Sequence, residues 1–426
     1  MKTILKIIFI GLIAGVSYKF LCDRKIKPAE KLHEVKEWVS SQLKELEKSS
    51  ENVMAVTAVK ENNIQSAYDG LTSASLKPET ESAILPERTV VDSPELNNAD
   101  GEEFLIEEKL FPGIGRFSEL DNYARETPED AAKTLQSLAA WLSRPSSSDL
   151  EKARLIFTWV ATHVAYDDNG YNTGNYSDTE AEGVLRNRVS VCQGYSNLFA
   201  ELGKAAGLDA LVITGYAKGI SYRPGDGFSQ TNHVWNAVRI NGEWKLFDVT
   251  WAAGYGKGVN GRLVTVMRYN DYWFNTRPDE FIFSHLPEDE RWQLNQEKIN
   301  LSKFESIPNA SSSFFSLGFN GSQCFPMVLN GSIRNIPVAY ETQGDIRLVS
   351  MPYGKSIPAG KSIKVRIRSS NAVKIAFTNN GRIIDMTKNG DEFSGVIAAT
   401  YGELSLMASF GDDSMTYHTF LEYVVE

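Results

Sequence analysis

The chain is poor in cysteine, has no excess of positive charge and has little in the way of long hydrophobic runs, its N-terminal one being short for a full membrane span. Three cysteines in 426 residues, Cys22, Cys192 and Cys324, are too few and too scattered for a disulfide scaffold. A single Cys192–Cys324 bridge is left open for an oxidising compartment. With no Cys-x-x-Cys pair and no histidine cluster in the sequence, a zinc site is not expected. The Asp-x-Asp-x-Asp-Gly spacing of a calcium loop is also missing, and no cofactor is expected. A net charge of −10 argues against nucleic acid, whose binding needs a basic surface. The apolar and charged fractions are otherwise those of a globular protein with room for two or three domains.

The N-terminal residues carry the one apolar run. Lys2 and Lys6 precede an uncharged stretch from Ile7 to Tyr18, closed by Lys19. That length suits a signal-peptide core, or an anchor in which Lys19 reaches to the interface. Residues 1–25 are therefore expected to be a signal peptide or signal anchor. The rest of the chain would then lie exported or membrane-anchored, on the non-cytoplasmic side. Residues 26–100 read as an amphipathic helix over 29–48 followed by a polar linker.

A globular region is expected from about residue 101 to 307. Helical periodicity marks 128–144 and 148–164, with Ser148 as the cap of the second. A helix over 192–206 follows, with Gly207 as its stop, then strands at 209–217, 233–251 and 262–267. From 308 to 426, short β-branched or aromatic runs at 346–350, 362–368, 372–377, 393–399, 403–409 and 415–425 are separated by turn signals. That pattern suggests a β-sandwich.

The hairpin starting at His233 carries the chemistry. Asn241-Gly242 between two alternating runs is the signature of a two-residue loop in which both residues take positive φ. That loop sets Ile240 opposite Glu243 and puts His233, Trp235, Trp244, Asp248 and Thr250 on one face. Asp248 then lies diagonal to His233, as a base and its orienting carboxylate require. Cys192 opens the helix upstream, where the peptide dipoles favour a thiolate and the first-turn N–H groups can meet an oxyanion. Cys192, His233 and Asp248 are the candidate catalytic residues; Trp235, Trp244 and Gln193 are the candidate substrate-binding residues. Asp167, Asp168 and Asp178 read as a loop, and His163 and His285 as structural.

The segments Val191-Cys192-Gln193-Gly194-Tyr195-Ser196, Asn232-His233-Val234-Trp235-Asn236 and Trp244-Lys245-Leu246-Phe247-Asp248 resemble the transglutaminase-like superfamily, and within it the kyphoscoliosis-peptidase type. Supporting pieces run from Ala153-Arg154-Leu155 to Trp292-Gln293-Leu294, so the resemblance covers about residues 120–305. A departure lies at Val189-Ser190-Val191, where relatives often have Gly-Val before the cysteine. The resemblance implies an α+β chain: a papain-like transglutaminase core followed by an immunoglobulin-like β-sandwich. It implies thiol acyl transfer at protein or peptide amides, with hydrolysis favoured over transamidation. The alternative it leaves is a low-activity scaffold or peptide-binding protein. A protein or peptide substrate is the expected partner, with a further protein partner for the β region.

Overall fold

The computed structural model describes residues 101–107, 117–219, 222–223, 225–379, 381–411 and 416–426. The expected N-terminal segment, amphipathic helix and linker lie outside the described residues. Among the described residues, no helix is long and apolar enough to cross a membrane.

A helical layer and a four-stranded antiparallel sheet build the first core. The sheet runs in the order Glu243–Phe247, His233–Ile240, Asp209–Ala217, His285–Pro287. Helix Asp149–His163 is capped by the Ser148 side chain on the Glu151 N–H, as expected. It buries Ile156, Phe157, Trp159 and Val160 against helix Cys192–Ala205, which contributes Tyr195, Leu198, Phe199 and Leu202. The expected helix over 128–144 is divided into a short 3-10 turn, Glu129–Ala132, and helix Leu135–Leu142. The break falls at Thr134, whose extended backbone and capping box with Ser137 start the second piece afresh.

In the hairpin, Asn241 and Gly242 have φ of 50° and 83°, and Ile240 pairs with Glu243. The expectation of a strand continuing to residue 251 is corrected. The strand stops at Phe247, and Val249–Ala253 is a short helix capped by the Asp248 carboxylate on the Trp251 N–H. Asp at the cap position competes with the ladder and wins, because it satisfies an otherwise orphaned helix donor.

The second core belongs to two sheets near the C-terminus. One joins Glu102–Glu103, Ser362–Arg368, Glu392–Ala398 and Thr387–Asn389, with Arg347–Ser350 also on Ser362–Arg368. The other joins Val338–Ala339, His418–Val425, Gly402–Phe410, Ala372–Asn379 and Arg382–Asp385, with Ser356–Ile357 on His418–Val425. Their apolar side chains form one cluster that includes Ile367, Ile397, Leu406 and Leu421. The same cluster takes in Phe283, Leu286 and Phe304, as well as Phe314, Phe315 and Phe325 from two helices, Ser312–Ser316 and Gly321–Leu329. These two helices are absent from the sequence reading. At five and nine residues they are too short for a helical period to stand out.

Candidate active site

Helix Cys192–Ala205 presents its first residue at a cleft. The chain enters it through Val191, which is extended (φ −91°, ψ −179°). Gly194 allows the approach of the preceding segment, since a Cβ there would meet the Ser190 hydroxyl at 2.1 Å. The Tyr195 hydroxyl donates to the Val164 carbonyl and ties the helix to the strand–helix junction behind it. Cys192 and Cys324 are both free, so the Cys192–Cys324 bridge is excluded. Cys324 is buried in the second core, which pushes its thiol up to about 12.

His233 opens the central strand, and its Nε2 lies 2.7 Å from Asp248 Oδ2. With Nε2 so engaged, Nδ1 is the nitrogen left for a thiol. Burial disfavours the imidazolium, but the charge and hydrogen bond of Asp248, with a smaller contribution from Cys192, push the ring up to about 10. Asp248 is fully buried. Burial alone would raise its carboxyl, yet the charge and bond of His233 and the bond from His285 hold it well below the usual carboxylate range. Its Oδ1 accepts the Trp251 N–H at 2.9 Å.

His285 is the residue that sequence reasoning missed. It is fully buried, and its Nε2 lies 3.0 Å from the same Asp248 Oδ2. Its Nδ1 lies 2.8 Å from the Ser284 hydroxyl. Phe281, Trp251, Trp235 and Trp273 surround the ring, with centroids 4.0, 4.4, 5.2 and 5.3 Å away. Nothing local marks this contact, because 37 residues separate His285 from Asp248. A histidine cluster unseen in sequence therefore forms on folding. His233, Asp248 and His285 bring ligand-type atoms within 4.8 Å of one another. The short contacts from both imidazoles to one carboxylate oxygen are those of hydrogen bonds, and they account for the cluster without a metal.

The cleft beside these groups has a volume of about 550 Å³ and is bordered by Cys192, His233, Tyr166, Asn232, Trp251 and Trp273, among others. Thr250 also faces it, and its buried hydroxyl finds no protein partner. Lys218 reaches the cleft but donates Nζ to the Ile307 carbonyl at 2.8 Å. Burial against Phe304 pushes its ammonium down to about 7. Arg268 pairs with Glu341 at 2.7 Å.

Cys192, His233 and Asp248 are thus brought together. Trp235, Trp244 and Gln193 are placed elsewhere and do not border the cleft. Trp235 is buried beneath the site against Phe281 and His285. Trp244 packs edge-on against Trp292, and Gln193 donates to Asn197 at 3.0 Å. Trp251 takes the cleft-facing place, with its ring 5.5 Å from His233. The helix begun at Asp248 turns it there, and the cue was the Asp itself as a cap. Asp167 accepts the nearby Gly170 and Ser177 N–H groups, whereas Asp168, read as loop from the sequence, opens the short helix Asp168–Thr173 and accepts from Thr265, 97 residues away.

Residues 136–249 match the model of the transglutaminase-like superfamily. The chain is 28% identical over 318 residues to kyphoscoliosis peptidase of Homo sapiens, covering 74% of this chain and 43% of that protein. It is 34% identical over 222 residues to Hillarin of Drosophila melanogaster, covering 48% of this chain and 26% of the relative. A third relative, Lim and transglutaminase domain protein ltd-1 of Caenorhabditis elegans, is 30% identical over 222 residues, 49% of this chain and 30% of its own. The chain spans less than half the length of these curated relatives. The stretch similar to the transglutaminase-like superfamily lies within a mixed α/β core, followed by many C-terminal strands.

Proposed function

We propose that this transglutaminase-like domain is a thiol acyl-transfer enzyme acting on protein or peptide amides, with hydrolysis favoured over transamidation. The observation that carries the reading is the buried His233–Asp248 pair, 2.7 Å apart, whose His233 borders the same cleft as the first residue of a helix, Cys192. A binding module has no use for an imidazolium held beside a thiol.

In the proposed step, the Cys192 sulfur attacks the amide carbonyl carbon as a thiolate, its proton having passed to His233. The carbonyl electrons move onto oxygen, which the first-turn N–H of the Cys192 helix stabilises. The C–N bond then breaks, His233 returns its proton to the departing nitrogen, and an amine leaves behind a thioester. Water attacking the thioester, with His233 as base, releases a carboxylic acid and restores the thiol. A primary amine in its place would form a new amide. Asp248 holds the imidazole and its charge throughout.

The kyphoscoliosis-peptidase likeness supports hydrolysis. The charged groups at the cleft, Lys218, Arg268 and Glu341, already have partners within the protein, and this suits an uncharged internal segment. We read the C-terminal strands as an immunoglobulin-like module offering a surface to a protein partner, and the N-terminal residues as tethering or exporting the enzyme. The test is mass analysis of peptide products from the full chain with and without a primary amine. Hydrolysis predicts mass gains of water at cleaved bonds, unaffected by amine. Amine incorporation without cleavage would reverse the preference. No product of either kind from a broad peptide library, with Cys192 intact, would contradict the enzyme reading.

A further inference from the structure

We propose that His285 is a positioning residue for this reaction: a second imidazole that fixes and polarises Asp248, so that the carboxylate is oriented from outside the hairpin as well as within it. The proposal rests on the reading of Cys192, His233 and Asp248 given above, and concerns a residue outside that trio.

Asp248 Oδ2 accepts from two imidazoles, at 2.7 Å from His233 and 3.0 Å from His285, while Oδ1 accepts the Trp251 N–H. A carboxylate only accepts, so His285 must carry its proton on Nε2, and Nδ1 is then free to accept from Ser284. The groups facing His285 are His233, Asp248 and Ser284, and the remainder of its surroundings is aromatic. Burial in that aromatic cage, only partly offset by Asp248, pushes the His285 imidazolium down to about 4, so the ring stays neutral near pH 7.

An apolar side chain would fill such a cage at lower desolvation cost, and a buried polar ring is retained where it has a partner to serve. The placement is also rigid. His285 pairs with Ala217 on the edge of the sheet, while its neighbours Phe283 and Leu286 are rooted in the C-terminal core. Asp248 is thus held from three sides: by the strand bearing His233, by its own helix and by the strand bearing His285. When His233 gives up its Nδ1 proton during turnover and becomes neutral, its Nε2–H and the two other donors still keep the carboxylate ionised and aimed.

The test compares His285→Phe with His285→Gln in the full chain, reading the rate of Cys192 alkylation across pH. Phenylalanine keeps the aromatic filling and removes the donor; glutamine restores an N–H. H285F is expected to slow alkylation at neutral pH by roughly tenfold or more, the scale of a lost hydrogen bond to a charged group. Its acid limb should move to higher pH, because Asp248 is easier to protonate, and H285Q should recover both. Wild-type rate and acid limb in H285F would overturn the proposal, and so would equal losses in both variants. Nitrogen-15 spectra of the histidine-labelled wild-type chain provide a check that needs no variant to fold. They should show His285 neutral with Nε2 protonated, and an Nδ1–H tautomer would overturn the proposal. If the wild-type Cys192 alkylates no faster than an ordinary thiol, the acyl-transfer reading fails instead, while the spectra still decide the tautomer.

Discussion

Strands Ser362–Arg368 and His233–Ile240 are similar in length and opposite in character. In the first, Ile363, Val365 and Ile367 are buried while the residues between them are partly exposed, the alternation of a sheet with one wet face. In the second, every residue but Arg239 is buried, including His233 and Asn236. The difference shows where each region places its polar groups. The C-terminal sheets keep charge outside, in pairs such as Arg366–Glu392. The first core admits charge to its interior, at Arg154–Asp121 and at His233–Asp248–His285. Burying charge is unfavourable unless it is paired, and of these pairs the one that includes His233 stands beside the cleft where the chemistry is proposed.

If that contrast holds, substitutions in the two regions should affect different observables. Asp248→Asn should have the largest effect, slowing Cys192 alkylation by roughly a hundredfold or more, since a misoriented histidine in such triads costs up to ~10⁴ in turnover. Its melting temperature should fall as well, because asparagine keeps the helix cap but leaves the buried His233 without its countercharge. A fully active variant would remove the orienting role of Asp248. Ile367→Ala should affect stability alone, costing about 2–5 kcal/mol in urea unfolding while the folded protein alkylates at the wild-type rate. Slower alkylation in that variant would show the two cores to be coupled.

Gly194→Ala should cost about 1–3 kcal/mol, the range for overpacking, because its Cβ meets the Ser190 hydroxyl at 2.1 Å. It should also slow alkylation, since the displaced turn carries Cys192. Unchanged melting and reactivity would show that the turn relaxes freely. A separate effect is one of pH. Lys218 stands at about 7 in the folded protein against about 10.5 when unfolded, so between those values the unfolded chain holds the extra proton. Lys218 therefore makes stability rise with pH across that window. Lys218→Met should flatten this contribution, read as the difference between the two proteins' melting curves from pH 7 to pH 10. Parallel curves would mean that Lys218 is charged in its site.

What could be read from the sequence follows the same division. The C-terminal strands announced themselves by alternation, and six of them lie close to where the pattern put them. The hairpin register followed from Asn241-Gly242, and the pairing of His233 with Asp248 followed from that register. Trp251 reaches the cleft because Asp248 caps a helix where strand continuity to residue 251 is the expectation. Trp244 shares the face of His233 but lies opposite Arg239, at the other end of the hairpin, and so does not border the cleft. His285 was beyond reach: its meeting with Asp248 depends on a sheet edge, a 37-residue separation and a second core, none of which leaves a local pattern.

If the buried histidine–aspartate pair activates Cys192, that thiol outreacts Cys324, which burial alone makes inert. Timed alkylation of the folded full chain near neutral pH, with the modified peptides identified by mass, tests it most directly. Cys192 should be modified much faster than Cys324, and His233→Ala should abolish most of that advantage. Equal rates at the two cysteines, or an advantage that survives the loss of His233, would contradict it.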